Sequence, residues 1–178
     1  MRDQSISPRL PNSSTAPIIH GAPADATPQL IAILGQTRTS RLTRSLRDDL
    51  GLVSTVGSGY SALEAAGIVT VTAQMERTNL ERAENEILRE LKRLRDEGVT
   101  ESELRRAITA AEAQHEFANE TAEGRAQALG RAETVWRLED ELGYLDRVRT
   151  VTREGIQAAA RKYLDPDRYV RVTFLPTS

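Results

Sequence analysis

The run from Ile33 to Val56, ILGQTRTSRLTRSLRDDLGLVSTV, constrains the fold more than any other part of the chain. Leu42, Leu46 and Leu50 recur every fourth residue, so an α-helix places all three on one face. Thr39 or Ser40 stands where a hydroxyl can cap the first turn. Gly51 stands where the chain can leave a helix through a left-handed conformation. Leu52 to Val56 then shifts toward the two-residue period of a strand. Asp48 and Asp49 fall at the helix end, where the dipole prefers cations, so helix stability does not explain them. The predicted order is the end of one helix, a break containing Gly35, a basic amphipathic helix over Thr39 to Leu50, and a strand.

Upstream, Met1 to about Thr27 is rich in Ser, Pro, Asn and Ala, and Pro8, Pro11, Pro17, Pro23 and Pro28 interrupt any regular element. Residues 1–27 therefore read as a disordered or extended tail, with at most one extended piece, Ala16 to His20. Residues 28–178 read as the folded domain. Pro28 to Leu34 predicts a short helix capped by Thr27. Val53 to Tyr60 and Gly67 to Met75 are strands, the second β-branched and alternating. Thr78-Asn79-Leu80-Glu81 reads as a capping box for a helix ending at Gly98, with Leu80, Ala83, Ile87, Leu91 and Leu94 on one face. Thr100-Glu101-Ser102-Glu103 is a second box, with Val99 stapled onto Leu104, so an αα-hairpin is predicted. Its second helix runs to about Val135, bent near Gly124 or Gly130. A helix over Leu138 to Arg149 is interrupted at Gly143. Thr152 caps a last helix, Arg153 to Tyr163, and Tyr169 to Leu175 alternates as a closing strand. Helices and strands are not regularly interleaved, which predicts an α+β fold: a small, mainly antiparallel sheet backed by helices.

Composition excludes several function classes. The 24 basic and 26 acidic side chains nearly cancel, so no global field draws in nucleic acid. Aromatics make up 4% of the chain, too few for base stacking to be its work. With no cysteine there is no thiolate metal site, thiol nucleophile or disulfide. No apolar run approaches the roughly 20 residues a membrane helix needs. Met1 to Ser14 has arginines but no apolar core, so it does not read as a signal peptide, and the compartment stays open.

The stretch Ile33-Leu34-Gly35, Thr39-Ser40-Arg41-Leu42, Leu46-Arg47-Asp48-Asp49 and Gly51-Leu52 resembles the C-terminal domain of the insulinase/pitrilysin-type zinc metallopeptidases. That family includes the mitochondrial processing peptidase and its bacterial relatives. The resemblance continues through Glu97-Gly98-Val99-Thr100-Glu101-Ser102-Glu103-Leu104, Val151-Thr152-Arg153-Glu154 and Lys162-Tyr163-Leu164-Asp165-Pro166, covering roughly residues 28 to 176. It implies a processing-peptidase-like half-repeat, here short of its first strands and so a marginal monomer or an oligomer such as a dimer. In the family an inverted H-x-x-E-H motif and a distal Glu hold zinc in the other, catalytic half. His20 and His115 form no such motif, so no metal or cofactor is expected in this chain and zinc is expected in a partner half. The chain is then inactive alone, and its partners are a zinc-bearing half or homologous subunit and a peptide substrate.

The resemblance also implies a substrate-contacting Arg and a Tyr seven residues apart. Arg47 matches the first, and Ser54 stands where the Tyr belongs. Ser54 is too short for a phenol's reach, and Tyr60 lies elsewhere, so only Arg47 is carried over, as a substrate-binding residue. Other candidates have plainer readings. His115 shares a helix face with Leu104, Ala107, Ile108, Ala111 and Ala118 and reads as a packed or hydrogen-bonded histidine. His20 reads as solvated. Arg38, Arg41, Arg44 and Arg47, spaced by three, read as a solvated face, or else one that meets a partner domain or an acidic peptide. A family alternative is a scaffold or assembly subunit with no part in proteolysis.

Overall fold

Leu30, Ile31 and Leu34 have no solvent exposure, and the rest of the domain is laid around the short helical segment that carries them. The computed structural model describes residues 6–8, 26–62, 67–135 and 138–174. Helix α1 (Thr27–Ile31) has proline in its first turn and runs on as a π-helical segment, Ala32–Gln36. Ala26 occupies the N-cap position without a side-chain hydrogen bond, so Thr27 is the first helical residue rather than the predicted cap. Thr27 is instead wholly buried.

The basic helix also differs from its prediction. Helical hydrogen bonding starts at Arg41, and Thr43–Asp49 is π-helical. A π turn closes through i→i+5 bonds and takes more residues than the 3.6 of an α turn. Leu42 and Leu46 are fully buried, but the wider turn carries Leu50 off that face and leaves it 43% exposed. Leu52 and Val53 enter the core in its place. Gly51 has the predicted left-handed backbone, with φ of +59°. Beyond it the Leu52 N–H donates to the Leu46 carbonyl at 2.8 Å, one residue further back than an α-helical C-cap closes.

Strands β2 (Thr55–Ala62) and β3 (Gly67–Gln74) pair antiparallel, with Gly57 opposite Thr72 and Gly59 opposite Thr70. Val56, Tyr60, Val69, Val71 and Ala73 pack against the core, while Thr55, Ile68, Thr70, Thr72 and Gln74 are exposed. The hairpin crosses the first π segment closely at Gly35. A Cβ there would lie 2.7 Å from the Ser58 backbone nitrogen, so the motif's glycine is a packing requirement. The Ser58 hydroxyl donates to the Ile31 carbonyl at 2.8 Å and fixes the crossing.

Helix α2 (Leu80–Glu97) follows a 3₁₀ turn, Arg77–Asn79. Thr78 lies inside that turn, and the Asn79 N-cap makes no side-chain cap bond, so the first predicted capping box does not form. The Asn79 amide reaches back to the Leu52 carbonyl instead. The buried line of α2 is Ala83, Glu86, Glu90 and Leu94, with Ile87 and Leu91 only partly covered. Helix α3 (Glu101–Asn119) has the predicted Thr100–Glu103 box in full. It stops at Glu120, earlier than either glycine suggested, because Thr121 starts a new helix: its hydroxyl accepts the Gly124 N–H at 3.0 Å. Helix α4 (Ala122–Val135), α5 (Leu138–Leu142) and α6 (Tyr144–Arg149) follow, the last two split at Gly143 as predicted. Thr152 caps α7 (Arg153–Tyr163), whose Ile156, Ala159, Ala160 and Tyr163 return to the core.

Strand β4 (Val170–Val172) pairs antiparallel with β1 (Ile6–Pro8). It is shorter than the predicted Tyr169 to Leu175, and Leu175 lies outside the described residues, as do Ala16 to His20. The architecture is thus mostly helical with small antiparallel sheets. No helix among the described residues is long and apolar enough to cross a membrane.

Candidate functional site

Arg47 sits in the last turn of the second π segment, and Ser54 at the entrance to β2. The left-handed Gly51 corner lies between them. The Arg47 Nε donates to Asp48 Oδ1 at 2.8 Å, with both side chains substantially exposed. That hydrogen bond, and then the guanidinium charge, hold the Asp48 carboxyl below its usual range. Asp48, unexplained by helix stability, is therefore the counter-charge of Arg47. The Ser54 hydroxyl is turned across the hairpin and donates to the Gln74 carbonyl at 3.2 Å. Tyr60 packs against the core, so it does not fill the place of the phenol that Ser54 lacks.

The basic series does not share one solvated face. Arg38 and Arg44 are exposed, but Arg41 is drawn inward. Its Nε and Nη2 bind the two oxygens of Glu103 at 2.6 and 2.9 Å, and Nη2 also donates to the Gly98 carbonyl at 2.9 Å. The reading of Arg41 as a surface side chain is corrected: its side chain is only 14% exposed. Burial pushes the Glu103 carboxyl up. The Arg41 hydrogen bond, the Thr100 backbone N–H and the Arg41 charge outweigh it and hold the group at about 2. Glu103 thereby caps α3 and clamps the loop before the second π segment onto the α2–α3 corner. The sequence carried both halves of this clamp, in the S-R-L motif and at the third position of a capping box, but nothing in spacing alone joined them.

A cleft of about 590 Å³ opens beside the clamp, between the 37–40 loop and α3, with Ala32, Ile33, Ala107 and Ala110 among its walls. On the other side of the second π segment, Ser45 donates to Glu86, which also receives Arg89 at 2.6 Å. Arg93 pairs with Glu90 at 2.8 Å. These helical partners are what allow two glutamates to occupy the buried line of α2.

His115 packs as predicted for a helix contact. Its ring stacks on Tyr144 with centroids 5.0 Å apart, and it meets Glu141 and Asn119. Burial, then the Glu141 charge, push the Tyr144 phenol up. His20 lies outside the described residues. No group of three His, Asp or Glu side chains among the described residues could hold a metal ion, so the donor set does not fit zinc.

Residues 29–111 match the family described as the Peptidase M16 inactive domain. This stretch is similar to an M16 inactive domain. The chain is also 31% identical over 109 residues to a Rickettsia bellii protein described as an uncharacterized zinc protease. That match takes in 61% of this chain and 26% of the relative, so the chain spans about a quarter of the relative's length. Among solved structures, the inactive peptidase domain of a zinc protease from Bordetella parapertussis superimposes with a TM-score of 0.78 at 21% identity, over 90% of this chain and 89% of that one. A Bordetella pertussis structure described as a zinc protease gives 0.76 at 19% identity, over 98% of this chain and 100% of that one. Pitrilysin gives 0.64 at 16% identity, over 85% of this chain and 16% of its own. The fold is that of the M16 inactive domains, and the resemblance carried by the Ile33 to Leu52 motifs stands.

Proposed function

We propose that this chain is the C-terminal, non-zinc-binding half of an insulinase-like metallopeptidase, forming one wall of a peptide-holding chamber and docking on a zinc-bearing half. The observation that supports this reading is the match of residues 29–111 to a domain described as inactive, in a chain with no H-x-x-E-H motif. Zinc then belongs to the partner half, and residues 28–178 form the domain together with Ala26 and Thr27, which are buried, and Ile6–Pro8, which pairs with β4, rather than with residues 1–27 left as a tail. Arg47 is the substrate-facing side chain. Its bond to Asp48 is exposed, and exposed ion pairs are weak enough for the guanidinium to exchange partner for a peptide carboxylate or carbonyl.

The test is to mix the purified chain with the zinc-bearing half from the same source and follow cleavage of an unstructured reporter peptide. Turnover should exceed that of the zinc-bearing half alone. Arg47→Ala should raise KM about five- to tenfold, the loss of one charged contact. A mixture no faster than the zinc-bearing half alone overturns the chamber reading. The absence of a phenol at Ser54 favours a second reading, a scaffold or assembly subunit. That reading expects stable association with the partner and no change in cleavage.

A further inference from the structure

The junction of α3, α5 and α6 holds a polar cluster for which the proposed chamber has no use. Asn119 Nδ2 donates to the His115 carbonyl at 3.0 Å, which pins the orientation of the amide. The same nitrogen lies 3.4 Å from His115 Nε2. With a donor facing it, Nε2 of the neutral ring is the acceptor, and the ring's N–H is on Nδ1, 3.9 Å from Glu141 Oε1. The ring face lies against Tyr144 at an interplanar angle of 23°.

We propose that His115 is a pH-sensitive latch: protonation clamps α5 and α6 onto α3 and at the same time releases Asn119 from the end of α3. A second ring proton on Nε2 would point at the pinned amide, donor against donor. The same proton places a full charge between the Glu141 carboxylate and the Tyr144 ring, where an ion pair and a cation–π contact both favour it. What is lost is a long neutral hydrogen bond at the limit of useful geometry. The surrounding charges are those of each packed element. Glu141 faces the ring from α5, and Tyr144 from α6, with the Arg147 charge also acting on the phenol. On α3 itself Glu112 is held by Arg149 at 2.8 Å, and Glu116 lies in the field of the same arginine. Helix α4 turns Glu123, Arg125 and Glu133 to solvent. Histidine is the side chain whose charge changes in the range that cells traverse.

Hydrogen exchange of the full chain, expressed as protection factors to remove intrinsic pH effects, reads the latch directly. From about pH 7.5 to about pH 5.5, protection across 138–149 should rise about fivefold, and that of the 119–121 turn should fall. His115→Gln should abolish both changes. Glu141→Gln should abolish the rise while keeping the fall, which separates the two arms and serves alone if His115→Gln does not fold. Equal protection at both pH values, or a rise that survives in either variant, overturns the proposal.

Discussion

Two regions of the molecule are held together in opposite ways. The body consists of α1, both π segments, the β2–β3 hairpin, α2, the first turns of α3, and α7. It buries Leu30, Ile31, Leu34, Leu42, Leu46, Leu94 and Ile156 to full or near-full occlusion. From Ile108 to Thr150, only Ala132 and Val148 are buried among the described residues, and Phe117 and Leu142 stand 75% and 70% exposed. The body is stabilised by apolar area removed from water; the arm has little such area and relies on side-chain pairs such as Arg149–Glu112 and His115–Tyr144. The family match ends at Ala111, near the place where burial thins. The motifs that carried the resemblance lie mainly in the body because only there does close packing restrict which side chains fit.

The sharpest way to test this contrast is a core truncation. Leu34→Ala should cost about 3–4 kcal/mol in denaturant unfolding, since the surroundings of a fully buried leucine collapse only partly into the void. A cost under about 1 kcal/mol would show the body to be as loosely packed as the arm. Arg41→Ala should follow, at about 2–3 kcal/mol, because it leaves the Glu103 carboxylate without its guanidinium partner. The acid dependence should go with it. Glu103 is depressed from 4.5 to about 2, so its contribution is fully present above 4.5 and is lost as pH falls through that window. Wild-type unfolding should weaken from pH 4.5 toward 2 more steeply than Glu103→Gln, and parallel curves would remove the clamp from the account. Gly35→Ala should cost about 1–3 kcal/mol by forcing the first π segment off β2. At the small end, Phe117→Ser and Leu142→Ser should change global stability by less than about 0.5 kcal/mol. A larger loss from either would mean the arm shares the body's core.

Legibility followed local chemistry. Thr100 with Glu103, Thr152, Gly51 and Gly143 act within a few residues of themselves, and each was readable because a cap or a left-handed turn needs only its neighbours. The alternation of Val69, Val71 and Ala73 likewise gave the packed face of β3. Two local readings failed, the Thr27 cap and the Thr78 capping box, and other failures were non-local. Glu86 and Glu90 look like solvent-facing acids until Ser45, Arg89 and Arg93 are in place around them. Arg41 looks like one member of an exposed basic series until Glu103, 62 residues on, is folded against it. At the candidate site, Arg47 and Ser54 were located by resemblance. What spacing could not supply was that Asp48 holds the one and Gln74 the other.

The π-helical turn has a consequence for how this region is measured. A turn that consumes an extra residue acts like a one-residue insertion absorbed without a loop, and every side chain after it is rotated from the bearing that a helical wheel would assign. The interval from Arg47 to Ser54 begins inside that turn, so related sequences can keep the same count between the two positions while pointing them in different directions. A one-residue deletion within 43–49 would be the equivalent of rewinding the spring: it would swing Leu50 back toward the core and turn Arg47 to a new heading, with the motif still nearly intact on paper.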